Sequence, residues 1–239
     1  MAEASLNVEY EPHLRRIRRG LIWLALPLGL LNIAALYAAS RPLVYLTKPA
    51  TMLIILGLAV AGRDRAPSRY ANLILAGLAC SLVGDVLLML PTDQFVPGLV
   101  SFLIAHLFYI AAFRQGMRGF GPAWLPFPFF AYGFAAFWIL LPGLGEMKLP
   151  VTGYLLVILT MGWQSAVRWN ATRDQSSLLA LSGALLFVTS DSIIAFNRFH
   201  TQFYLAEAWI MSTYFVAQWL IAFSVSRQVE TPANPSTSK

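Results

Sequence analysis

Eight apolar runs, most of them close to twenty residues long, follow one another along the chain with only short connections between them. They cover roughly Leu21 to Ser40, Leu43 to Ala61, Tyr70 to Leu90, Val96 to Phe113, Pro122 to Leu141, Pro150 to Trp169, Ser176 to Phe196 and Phe203 to Ser224. A helix needs about 20 residues to cross the hydrocarbon of a bilayer, so this spacing predicts an all-α, polytopic membrane bundle of eight transmembrane helices. No stretch is left for a separate soluble domain. Composition points the same way: of 239 residues 58% are hydrophobic and 12% charged, with a mean hydropathy of +0.63, far from the balance of a soluble core. Residues 1–19 then form a basic cytoplasmic segment, residues 20–226 the membrane domain, and residues 227–239, ending in "TPANPSTSK", a disordered tail.

The cations set an orientation. Arg15, Arg16, Arg18, Arg19, Arg63, Arg65, Arg69, Arg114, Arg118, Arg168, Arg173, Arg227 and Lys239 fall on the side of the N-terminus. Only Arg41, Lys148 and Arg198 fall on the other, and Lys48 lies within a span. Thirteen against three, alternating loop by loop, predicts both termini in the cytoplasm, in the inner membrane if the source is bacterial. The net charge of +6 is then positive-inside bias with some attraction to anionic headgroups, and calls for no nucleic-acid partner. "RRIRRG" before an apolar run, with "YAAS" after it, has the look of a signal peptide, but the run is too long for a usual apolar signal core and reads as a retained first helix. Cys80 is the one cysteine, which excludes an internal disulfide and a cysteine-based metal cluster.

"AGLACSLVGD", ending at Asp85, and "SGALLFVTSD", ending at Asp191, each carry a glycine eight residues before the acid, Gly77 and Gly183. His106 and Ser212 each lie 21 residues beyond their aspartate. A shift of four helices preserves orientation, so the pattern suggests a 4+4 parallel internal repeat with polar groups at its interface. Chance similarity is the alternative reading.

An ionised carboxylate inside hydrocarbon is among the most costly groups to place, so Asp85 needs partners. At 1.5 Å per residue Asp85 lies roughly 7 Å below the outer end of its helix, and Asp191 at about the same depth. Lys48 and Glu207 fall near that level, with His106 somewhat deeper. Five ionisable groups are thus expected in one layer of the outer half of the membrane. Plain structural readings stand beside the functional one. The aspartates can be satisfied by interhelical hydrogen bonds, His106 can cross-link two helices, Lys48 can snorkel, and Glu207, close to its helix start, can be solvated at the interface. Helical spacing puts Phe102, His106 and Tyr109 on one face, and Glu207, Met211, Tyr214 and Gln218 on another. Pro49 after Lys48 removes a backbone hydrogen bond, a break tolerated where it faces protein or a wet cavity. The small-residue run Gly77, Ser81, Asp85 brings a neighbouring helix close to the acid.

The chain contains no G-x-S-x-G elbow, no H-E-x-x-H and no Walker glycine loop. A serine triad from Ser81 or Ser190 with His106 has no signature. A metal on Asp85, His106 and Asp191 is chemically reasonable, but no spacing demands it, and no cofactor is expected. Two rival classes remain: a proton-coupled small-molecule transporter, and a metal-dependent lipid amidase or esterase.

Five motifs, in order, resemble the YhhN-type lysoplasmalogenases: "LTKPATMLIILG", "VGDVLLML", "FLIAHLFYI", "GALLFVTSDSIIAF" and "STYFVAQWLI". Each is weak alone; the ordered set, spanning about Leu43 to Ile221, is specific. The resemblance implies an eight-helix membrane hydrolase whose substrate is a lysophospholipid with a vinyl-ether chain, released as fatty aldehyde to leave glycerophosphoethanolamine or glycerophosphocholine. It also implies that the family's two membrane aspartates are Asp85 and Asp191. Protonating the vinyl carbon beta to oxygen gives an oxocarbenium ion that water captures, so one group supplies a proton and another stabilises the cation and deprotonates water. Two carboxyls in low-dielectric surroundings divide such work, one protonated and one ionised, as in glycoside hydrolases. Which aspartate is which stays open, since a coupled pair titrates as a unit. Lys48 would hold the phosphate or bias the proton, His106 would orient water or relay a proton, and Tyr109 and Tyr214 would line the cavity.

Overall fold

The computed structural model describes residues 20–226 with the exception of Ile22. Among the described residues there are eight α-helices and no strand: α1 (Trp23–Tyr37), α2 (Arg41–Val60), α3 (Ser68–Met89), α4 (Phe95–Phe113), α5 (Phe127–Leu140), α6 (Lys148–Thr172), α7 (Gln175–Phe199) and α8 (Ala206–Val225). The expected basic segment 1–19 and disordered tail 227–239 lie outside the described residues.

Six helices, α2, α3, α4, α6, α7 and α8, are long and apolar enough to cross a membrane, while α1 and α5 are shorter than the runs that contain them. Prolines account for the shortening of α5. Pro126 stands at its N-cap and Pro128 in its first turn. Proline donates no N–H and restricts the residue before it, so the chain expected to be helical from Pro122 turns until Phe127. Elsewhere the helix ends follow local chemistry. Pro42 sits in the first turn of α2, where its missing N–H costs nothing. The tight α6–α7 connection combines a left-handed Arg173 (φ 51°) with Asp174, whose side chain accepts a 2.7 Å hydrogen bond from the Ser177 N–H.

The closest pairings are α3 with α4 and α7 with α8; α4 also packs on α6, and α2 on α3 and α8. Close approach depends on glycine. A Cβ on Gly77 would enter the Tyr109 ring, and one on Gly183 would meet Ile221 and the Ala217 carbonyl. The two glycines matched by the internal similarity therefore occupy corresponding crossings. The polar layer does not share that correspondence, because His106 is buried while Ser212 is exposed, and the repeat stays a pattern of sequence. Leu53, Val83, Leu107, Phe134 and Leu185 point outward. In hydrocarbon that contrast supplies little force, so packing and interior polar bonds hold the bundle together.

Candidate active site

Asp85 lies on the inward face of α3 with Gly77, Ser81 and Gly84. It is 1% exposed, and both of its oxygens are engaged. The Lys48 ammonium, from α2, sits 3.0 Å from Oδ1. The Tyr214 hydroxyl, from α8, donates to Oδ2 at 2.5 Å. Lys48 is itself 8% exposed, so it reaches inward to the acid rather than snorkelling. At the preceding residue of α2, Asn32 of α1 donates to the Thr47 hydroxyl at 2.9 Å and Thr47 in turn donates to the Leu43 carbonyl.

Asp191, on α7, has a different setting. The Tyr154 hydroxyl of α6 donates to its Oδ2, and no cation among the described residues pairs with it. It is half-buried and opens onto a narrow cavity of about 60 Å³ with Leu88, Phe102 and Tyr154 in its wall.

Aromatic rings fill the space between these groups. Phe187 meets Tyr214 edge-on at 5.5 Å and His106 at 4.7 Å, and His106 meets Tyr154 at 5.3 Å. The rings therefore run from the tyrosine that holds Asp85 to the tyrosine that holds Asp191. His106 is fully buried, and neither ring nitrogen has a hydrogen-bond partner among the described residues. Buried polar groups are normally bonded, so an imidazole with both nitrogens unspent is an exception within this packed layer. Tyr109 donates to Gln218 Oε1 at 2.8 Å, joining α4 to α8 below the acids.

Glu207 does not join the buried layer. It is exposed in the first turn of α8, on the wall of an outer cavity of about 430 Å³ that also holds Lys48 and Arg41. Leu88 is the one residue that lines both this cavity and the one at Asp191. Sequence reasoning did not single out Tyr154 or Phe187. Phe187 lies four residues before Asp191 and so shares its helix face. Tyr154 sits six residues into α6, near the depth of the acids, and that depth was its only signal. No serine hydroxyl bonds His106, and Ser190 donates instead to the Ile210 carbonyl. Among the described residues no three His, Cys, Asp or Glu side chains converge as metal ligands.

A multi-helix membrane bundle that holds two carboxyls in a buried polar and aromatic layer is the class these features define. Residues 43–225 match the sequence model of the YhhN family, and the chain belongs to that family. Human lysoplasmalogenase TMEM86B is 35% identical over 158 residues, 66% of this chain and 65% of the relative. Human lysoplasmalogenase TMEM86A is 37% identical over 159 residues, 64% of this chain and 65% of the relative. The uncharacterized membrane protein YhhN of Escherichia coli O6:H1 is 28% identical over 199 residues, 82% of this chain and 93% of the relative. The match thus spans a little under two thirds of each human relative. No solved structure matches the chain.

Proposed function

We propose that this protein hydrolyses the vinyl ether of lysoplasmalogens, releasing a fatty aldehyde and a glycerophosphoethanolamine or glycerophosphocholine, by proton transfer through Asp191 and Asp85. The activity is the one its human relatives are named for. The observation that carries the mechanism is the asymmetry of the two acids: Asp85 has a cation at 3.0 Å, whereas Asp191 has a phenol. Asp85 is accordingly the carboxylate and Asp191 the proton donor, a division that two differently placed carboxyls support.

Asp191 gives its proton to the vinyl carbon remote from oxygen, which leaves an oxocarbenium ion facing the Asp85 carboxylate. Water adds to the carbon bearing oxygen and passes a proton to Asp85, forming a hemiacetal. As the hemiacetal collapses, Asp85 returns that proton to the departing glycerol oxygen, and the hydroxyl proton goes to Asp191, so both acids are reset. Tyr154 fixes the donor's direction, Tyr214 and Lys48 fix the acceptor, and His106 holds the water with a ring nitrogen. No metal has a step. The test is hydrolysis in D₂O by purified protein, with the aldehyde trapped at once by reduction. One deuterium on the carbon next to the former carbonyl, and slowed turnover, are expected. Aldehyde without that label would overturn carbon protonation, and absence of turnover on any vinyl ether would overturn the activity.

A further inference from the structure

The outer cavity between α1, α2, α3 and α8 carries two opposite charges, Arg41 and Glu207, that the chemistry above does not use. Its volume, about 430 Å³, falls within the range of small-molecule sites, about 300–1,000 Å³. On its wall stand Arg41 at the start of α2, Lys48 two turns further along the same face, and Glu207 at the start of α8. Arg41 and Glu207 make no ion pair among the described residues. Lys48 has three N–H donors, and its bond to Asp85 occupies one of them. Small side chains, Ala35 of α1 and Ala39 just after it, also line the cavity.

We propose that this cavity is a headgroup subsite that prefers phosphoethanolamine to phosphocholine. Arg41 and Lys48 take the phosphate, and Glu207 accepts hydrogen bonds from the primary ammonium. The inference rests on the lysoplasmalogen reading of the neighbouring acids, because Lys48 belongs to both places: it lines this cavity and its ammonium lies 3.0 Å from Asp85. Arg and Lys with a carboxylate opposite suit a zwitterion that ends in N–H donors. A quaternary ammonium has no N–H to give and is held by a cage of aromatic faces; Tyr45 is the one aromatic side chain on this wall.

The experiment compares ethanolamine and choline lysoplasmalogens of one chain length as substrates for wild type, Glu207→Gln and Arg41→Gln. Wild type is expected to favour ethanolamine in kcat/KM by about tenfold, the worth of one charge-assisted hydrogen bond. Glu207→Gln is expected to bring that ratio to within about twofold, with the loss in KM. Arg41→Gln is expected to raise KM for both lipids while preserving the ratio. A wild-type preference for choline, or a ratio that Glu207→Gln leaves unmoved, would overturn the subsite while the hydrolase reading stands. A second arm needs no catalysis: thermal stabilisation of the full chain by 1-alkyl lysophosphoethanolamine, 1-alkyl lysophosphocholine and inorganic phosphate, the alkyl ethers being inert to this chemistry. Stabilisation by the ethanolamine lipid that Glu207→Gln abolishes supports the subsite even if no vinyl ether is turned over. Equal stabilisation by the two lipids, or by phosphate alone, overturns it.

Discussion

Asp85 and Asp191 begin alike. Each stands eight residues beyond a glycine that seats a neighbouring helix, Gly77 on α3 and Gly183 on α7. Each receives a hydrogen bond from a tyrosine on a different helix. Their surroundings then diverge. Asp85 is sealed between α2, α3 and α8 with a lysine on one oxygen and a phenol on the other, whereas Asp191 has one phenol and a cavity. The lesson is that a local motif sets where a carboxyl sits along its helix, and side chains from distant parts of the chain decide what it can do there. In low dielectric such partners matter more than they would in water.

The largest test of this contrast removes each acid. Asp85→Asn and Asp191→Asn are nearly isosteric, and each is expected to lower turnover by about 10²–10⁴-fold, the scale of general acid–base catalysis. The double variant should cost far less than the product, because groups acting as one unit are not additive. A folded single variant within a few-fold of wild type would remove that aspartate from the mechanism.

The next test separates the two sides. Lys48→Met leaves Asp85 buried without its cation and should cost about 3–5 kcal/mol of stability. Adding Asp85→Asn should restore most of that loss, while adding Asp191→Asn should restore none. The measurement is thermal or denaturant unfolding in one detergent. A Lys48→Met protein as stable as wild type would show that the ion pair contributes nothing net.

The smallest expected effects come from the phenols. Tyr214→Phe and Tyr154→Phe each delete one hydrogen bond to a carboxyl, worth about 1.5–3 kcal/mol where the acceptor is charged. Tyr214→Phe should act mainly on stability, because Lys48 still holds Asp85. Tyr154→Phe should lower kcat with little change in melting temperature, because Asp191 would keep its proton but lose its direction. Equal behaviour of the two variants would break the asymmetry on which the acid and base roles rest.

The class of fold was legible because membrane helices announce themselves by length and apolarity, with no tertiary information needed. Helix ends were legible less often. The prolines at 122, 126 and 128 were visible, yet the run containing them still read as one span. For the site, depth along each helix placed Lys48, Asp85, Asp191 and His106 at neighbouring levels, and spacing put Tyr214 and Gln218 on one face. Pairing was out of reach. That Tyr214 meets Asp85 while Gln218 meets Tyr109 depends on how α8 is rotated against α3 and α4, and rotation leaves little trace in one sequence. Tyr154 escaped for the same reason: an isolated tyrosine in an apolar run reads as packing until the helix opposite is known. Glu207, expected near that level, lines the outer cavity instead, because it lies in the first turn of α8, where the helix is still at the surface.

Leu88 couples the shapes of two cavities. It is the one residue common to the walls of the charged outer cavity and the narrow cavity at Asp191, and it packs against Gly98 of α4, where a larger residue would collide with it. A leucine changes rotamer in picoseconds to nanoseconds when it has room, while helix displacements take microseconds or longer. A change of rotamer at Leu88 alone would therefore reshape both walls at once, with no displacement of α3 against its neighbours.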